Sequence, residues 1–466
     1  MAETATTAPT STAAAEPHLR RVLSLWDLIF YGIVLIQPIA AVPLFGIAQK
    51  DSGGHAVLTI LAGMVAFLLT AVSYGRMAAL YPAAGSAYTY VGKGLNPHFG
   101  FLAGWAMFLG YLVLPLINVV YVAVTLHRVF PRVPYVAAAG GFALVITLLN
   151  LLGIRSTARA NQVLLAAMCA VIGAFIILGI RYVARTAGAG GLLSLHPFYN
   201  PQTFDLHSIA TATAFAALTY IGFDGVTTLA EDVQNPRRNV LLAVVLVVLF
   251  TGIFSSFLCY LGQLVWPNYL DFPNLETAFM DVCRRVGGLL LYDAMAVILI
   301  VASFGSGLTG QVGAARILFG MGRDNVLPRK VFSYLDPRRN TPAVNIWMIG
   351  ALAFAGGLVL TYESAADILN FGAFVAFMGV NVAAFWQFYV RRPRSNRRGH
   401  EGRERRLIAD AIVPLLGFVS CFAIWLSLPR QAMVVGGAFL LAGFAIAAVK
   451  TRGFRTRPVM IDFHEA

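Results

Sequence analysis

Residues 220–225 read Tyr-Ile-Gly-Phe-Asp-Gly and stand inside an otherwise apolar run covering 208–229. Gly222 and Gly225 free the backbone from helical geometry. A carboxylate near the centre of a span costs roughly 2.5–3.5 kcal/mol to insert, so Asp224 is expected to face protein or water rather than lipid. Its two readings are a structural hydrogen-bond acceptor and a ligand for a cation. A second break lies earlier in the chain, in Gly32-Ile33-Val34-Leu35-Ile36-Gln37-Pro38, where Pro38 cannot donate its helical hydrogen bond. In a five-plus-five division of the spans the two breaks occupy equal places, which is the pattern of inverted-repeat transporters with a mid-membrane site.

Outward from these breaks, the 466 residues are 58% apolar and 12% charged, with a mean hydropathy of +0.74. No soluble globular domain has that composition. Windows of about 20 apolar residues, the length that crosses a ~30 Å hydrocarbon core, recur along the chain. Twelve are expected: 26–48, 56–81, 99–126, 135–153, 162–183, 208–229, 240–265, 288–320, 344–360, 366–389, 407–426 and 433–449. The fold class is thus an all-α polytopic membrane protein.

The net charge of +13 is explained by placement, because Lys and Arg collect in cytoplasmic loops. With both termini inside, 26 of the 34 bases fall on the inner side and 8 on the outer side. The densest cluster, residues 391–406, reads as a solvated cytoplasmic loop or as an anionic-lipid contact. A nucleic-acid partner is not implied. Residues 1–17 lack an apolar run and read as a disordered tail rather than a targeting segment.

Cys169, Cys259, Cys283 and Cys421 are scattered without CxxC spacing, so no disulfide framework, metal site or cofactor is expected. The eight histidines form no HxxxH or HExxH pair, and neither a phosphate loop nor a channel-filter motif stands out. A carrier is therefore favoured over a membrane enzyme or a channel. Glu231 and Asp232 lie roughly 10–12 Å beyond Asp224 at helical rise, at the inner mouth. They read as a cytoplasmic gate pairing with a base such as Arg316, or as plain surface charge.

With the breaks and joints in hand, the chain resembles the amino acid-polyamine-organocation transporters over nearly its whole length. The most specific stretches are residues 215–240, FAALTYIGFDGVTTLAEDVQNPRRNV, and 306–342, SGLTGQVGAARILFGMGRDNVLPRKVFSYLDPRRNTP. Within that superfamily it looks most like bacterial putrescine importers, in residues 73–76 (SYGR), 82–90 (PAAGSAYTY) and 96–101 (NPHFGF). The resemblance implies an inverted-repeat (LeuT-like) core of ten spans with two peripheral ones. The expected layout is a tail at 1–20, repeats at 21–205 and 206–390, a basic loop at 391–406, peripheral spans at 407–450 and a tail at 451–466.

It also implies that Asp224 contacts a substrate amine. The expected site joins Asp224 and Gly222 with the Ile36 and Gln37 backbone, while Tyr220 and Tyr111 pack the carbon chain. Three departures qualify the transfer. The first break lacks the Gly/Ser-rich turn that holds a carboxylate in amino acid carriers, which favours an amine. The acidic residue that precedes a tyrosine in the third span of diamine importers is here Gly110, before Tyr111. The aromatic gate position is Leu218, leaving Tyr220 or Phe215 as substitutes.

The implied function is import of a small organic amine, putrescine-like, with an amino acid permease or exchanger as the alternative. The fifth span lacks a central lysine, and Ser303, Ser306 and Thr309 are as often packing residues as sodium ligands. H+ is the expected coupling ion, in a monomer or weak homo-oligomer set in a bacterial inner membrane.

Overall fold

In the computed structural model, the described residues are 23–82, 86–153, 158–230, 232–323, 327–337, 339, 341–391 and 407–456. They are helical throughout, with one isolated bridge. In chain order the helices are α1 (Leu25–Ile36), α2 (Phe45–Asp51), α3 (Ala56–Leu80), α4 (Ser86–Gly94), α5 (Pro97–Val129), α6 (Tyr135–Leu151), α7 (Ala158–Thr186) and α8 (Leu206–Ala216). Then follow α9 (Pro236–Val265), α10 (Ala278–Arg323), α11 (Arg329–Phe332), α12 (Ala343–Val359), α13 (Tyr362–Phe385), α14 (Val413–Leu426) and α15 (Arg430–Lys450).

Among the described residues, nine helical segments are long and apolar enough to cross a membrane, and α1, α6 and α12 are shorter apolar helices. Backbone groups in hydrocarbon must be paired within the chain, and a helix does this within one segment.

Local chemistry sets the helix ends. Ser24 and Asp27 form a reciprocal capping box on α1, the Asp27 amide donating to Ser24 Oγ at 3.3 Å and the Ser24 amide to Asp27 Oδ2 at 2.8 Å. Asn96 caps α5 ahead of Pro97, and Asp205 caps α8 through the Ser208 amide at 2.7 Å. Close helix approach rests on small residues. A Cβ on Gly75 of α3 would lie 2.6 Å from Leu241 Cα of α9, and one on Gly372 of α13 would strike the Ala106 carbonyl of α5.

Both expected breaks are present. The first span stops at Ile36, Gln37 takes φ 68°, and the chain turns before α2 begins. The sixth span runs from α8 through a 3-10 turn (Ala217–Tyr220) to Gly222 at φ 109°, then a second 3-10 segment (Phe223–Leu229). That second half is a tight 3-10 coil starting at Phe223.

Two other spans extend past their expected limits. The eighth begins ten residues early, at Ala278, because a bend at Gly288 (φ 67°) lets the charged stretch around Asp281 coil as a helical arm. The tenth begins at Tyr362, capped by Thr361, and carries Glu363 and Asp367 inside the helix. The π-helical turn Ile408–Ile412 ahead of α14 docks on α3 by Arg76, whose guanidinium donates to the Ala409 carbonyl and to Asp410 and lies 4.1 Å over the Phe388 ring.

Candidate functional site

Gly222 brings the two breaks together. A Cβ built on it would lie 3.7 Å from Ile36 Cγ1 and 3.9 Å from the Leu35 carbonyl oxygen. Its φ of 109° is a left-handed value that a side chain adopts only under strain. Beyond it, Thr227 Oγ1 donates to the Asp224 carbonyl at 2.6 Å and Thr228 Oγ1 to the Gly225 carbonyl at 2.7 Å. These hydroxyls satisfy carbonyls that the 3-10 coil would otherwise leave bare.

Asp224 is 8% exposed. Its Oδ2 accepts from Ser86 Oγ at 3.2 Å, and the amides of Asp224 and Gly225 also bear on the carboxylate. Ser86 opens α4 with φ 45°, a positive value rare outside glycine, so the loop is held in a strained form where it meets the acid. No basic partner of Asp224 occurs among the described residues. Its charge instead reaches four tyrosines: Tyr31, Tyr74, Tyr90 and Tyr111.

Tyr74 and Tyr90 are fully buried, and their hydroxyls face Ser86 and Thr227 without reaching hydrogen-bond geometry with any described residue. Unpaired buried hydroxyls are costly and mark a place where a ligand or water completes the set. Tyr31 and Tyr111 each keep 38% of their surface accessible, although both sense Asp224 and Tyr111 also senses Tyr31. The Tyr111 ring lies against α10, where a Cβ on Gly313 would come within 2.9 Å of it.

Behind the acid, Phe223 packs on Phe67, Tyr74 and Phe377 with centroids 5.6, 5.3 and 5.2 Å away. This aromatic layer makes the rear wall rigid.

Of the expected site residues, Asp224, Gly222, Ile36, Gln37 and Tyr111 are brought together. The Gln37 side-chain Nε2 donates to the Ala302 carbonyl of α10 at 3.4 Å and so ties the first break to that helix. Tyr220 points elsewhere: its hydroxyl donates to the Ile60 carbonyl at 2.7 Å and its ring stacks on Phe67 at 4.9 Å. Phe215 joins Tyr362, which touches Tyr121, in a second ring set at 6.5 and 5.3 Å.

Asp232 and Arg316 are half-buried, while Glu231 lies outside the described residues. The Asp232 backbone takes part in the isolated bridge, accepting from the Leu23 amide at 3.0 Å. That bridge ties the start of α1 to the end of the second 3-10 segment. Ser306 accepts from Asn118 at 3.0 Å, and Thr309 donates to its own helix at Gly305.

Sequence reasoning missed Ser86, Tyr74, Tyr90 and Tyr31 as neighbours of the acid. The signal was there for three of them, since Tyr74 lies in SYGR and Ser86 and Tyr90 in PAAGSAYTY.

Two spans unwound side by side, with a buried carboxylate where they meet, define a multi-pass membrane carrier rather than an enzyme. Residues 42–435 match the amino acid permease family, and the chain belongs to it. It is 30% identical over 444 residues to the low-affinity putrescine importer PlaP of Escherichia coli K12, covering 94% of this chain and 95% of that one. It is 25% identical over 456 residues to the branched-chain amino acid permease BcaP of Lactococcus lactis, covering 93% and 95%. The cationic amino acid transporter 4 of Arabidopsis thaliana is 27% identical over 402 residues, 80% of this chain and 64% of that one.

Proposed function

We propose that the chain is a secondary active importer of a small organic amine of the putrescine class, working by alternating access. The carrying observation is Asp224, a buried carboxylate held by a serine at the meeting of two unwound spans. An ammonium supplies the charge and the N–H donors that such a site asks for. In this reading the Ile36 and Gln37 backbone shares the ammonium, Tyr111 lies along the carbon chain, and the hydroxyls of Tyr74 and Tyr90 complete the polar shell. Tyr220 supports the site from behind through its bond to Ile60.

All twelve apolar segments cross, both termini are cytoplasmic, and the inverted repeats are 21–205 and 206–390. Glu231 and Asp232 with Arg316 form the inner gate. Uptake is driven by H+ or by the membrane potential. Similarity to the putrescine importer over almost both full lengths supports an amine, while similarity to the branched-chain permease keeps an amino acid as the second reading.

A competition panel of diamines, monoamines and amino acids against labelled putrescine, in liposomes containing the purified protein, separates the two. The amine reading expects saturable uptake blocked by diamines or monoamines and untouched by leucine. Saturable leucine uptake with inert amines would establish the second reading instead.

A further inference from the structure

A second set of carboxylates lies on the face that carries Lys50, Glu276 and Glu363. Asp367, on α13, is 3% exposed, and among the described residues its Oδ1 has no hydrogen-bond partner. The charges that reach it are those of Glu363, one helical turn nearer the start of α13, and Asp51, at the end of α2. Both of these are half-buried, so acidity continues from the rim to a buried oxygen.

Lys50 bears on Asp51 but is not among the charges acting on Asp367. Glu276 stands nearby, accepting from the Tyr362 amide at 3.4 Å and sensing Glu363. It borders a cavity of about 370 Å³ shared with Arg128, and Arg128 is turned to Asp281 at 3.5 Å.

Asp367 also lies on the way to the central site. Asn370, three residues on, donates to the carbonyls of Ala214 and Phe215 at 2.8 and 3.3 Å, where α8 runs into the sixth-span break. At helical rise, Asp367 is only about 5 Å along α13 from that contact. Beside it, the first turn of α13 presents the Tyr362 ring against Tyr121 and Phe215.

We propose that Asp367, with Glu363 and Asp51 at its rim, forms a second cation site that takes the primary ammonium of an incoming alkylamine before it reaches Asp224. The site rests on the reading of the protein as an amine importer. Carboxylate oxygens on two helices accept the N–H donors of an ammonium, and adjoining rings suit its methylene chain and its charge. Several charges of one sign gathered in one place raise the local concentration of the opposite ion. The ammonium fills the place of the missing hydrogen-bond partner at Oδ1, which a purely structural carboxylate would have found within the protein.

The test uses the full chain in lipid nanodiscs and in liposomes, with putrescine as the probe. Asp224→Asn should keep a weaker equilibrium binding of labelled putrescine, and adding Asp367→Asn should abolish it. With Asp224 intact, Asp367→Asn should raise the KM for uptake about tenfold with kcat within about twofold, and Asp367→Glu should restore it.

Residual binding absent in Asp224→Asn, together with an unchanged KM in Asp367→Asn, would overturn the second site and leave the central one standing. A native protein that neither binds nor imports putrescine or a monoamine would overturn the importer reading itself. Residual binding that vanishes when choline is replaced by sodium at equal ionic strength would assign the site to an inorganic cation and overturn the proposal. Should Asp367→Asn fail to insert, Glu363→Gln serves in its place, and an unchanged KM there would equally overturn it.

Discussion

Gly110 sits beside Tyr111 with space in front of it: a Cβ there would meet, among the described residues, only Leu369 Cγ at 3.8 Å. The first atom of an added side chain therefore meets only ordinary van der Waals contact. A diamine carries two charges, and burying the second without a counter-charge costs several kcal/mol. Gly110→Asp should raise diamine affinity relative to monoamine, each tenfold gain corresponding to ~1.4 kcal/mol. Isothermal titration with putrescine and butylamine reads the ratio, and an unchanged ratio would place the second ammonium elsewhere.

Asp51 offers a residue-scale test through pH. Desolvation first, and then the charge of Glu363, push its carboxyl up to about 6 against Lys50, which acts the other way. Because the folded pKa exceeds the ordinary 3.8, the native state binds more protons between those values. Stability therefore falls as pH rises through about 4 to 6, and the penalty is fully present above it. Asp51→Asn should raise the melting temperature near pH 7.5 and leave it close to wild type near pH 4, read by thermal shift. An equal change at both pH values would mean that the charge is not responsible.

At the element scale, the breaks were legible because Pro38, Gly222 and Gly225 announce them whatever surrounds them. Tyr220 was not legible in the same way: the spacing puts it two residues before Gly222, but the 3-10 turn rotates it away toward Ile60. A helical reading of that turn cannot anticipate the rotation. The span limits at Ala278 and Tyr362 were hidden for another reason, since charged residues look like loop until a glycine bend or a threonine cap lets them coil. Ser86 was invisible as a neighbour of Asp224 because 138 residues separate them and only packing joins them.

The break itself can be probed with two alanines. Gly222→Ala forces a side chain to φ 109° and should cost roughly 1–2 kcal/mol, lowering the melting temperature. Gly225→Ala has no such φ and meets only the flexible end of Leu35, at 2.8 Å among the described residues, so its effect should be milder. The reverse order would mean that space, not backbone conformation, governs the break.

For the whole molecule, composition and basic-residue placement carried most of the reading, since an apolar solvent constrains a chain more tightly than water does. The 26-to-8 division of bases predicts cytoplasmic termini. A green fluorescent protein fusion at the C-terminus should fluoresce and an alkaline phosphatase fusion should be inactive, and the opposite result would invert the topology. The driving force follows from less. Ser306 accepts from Asn118 and Thr309 donates to its own helix, and the fifth span carries no central lysine. Uptake should respond to a proton gradient or the membrane potential, and an absolute requirement for a sodium gradient would reverse that choice.

Everything about the central site converges on Asp224, whose carboxylate has Ser86 as its side-chain hydrogen-bond partner and four tyrosines within reach of its charge. The direct measurement is putrescine uptake by Asp224→Asn in liposomes, on protein shown to be inserted and folded by its melting curve. The substitution keeps the shape and removes the charge, so uptake should be abolished with the fold intact. Unchanged uptake kinetics would remove Asp224 from the site and with it the amine-importing reading built on that residue.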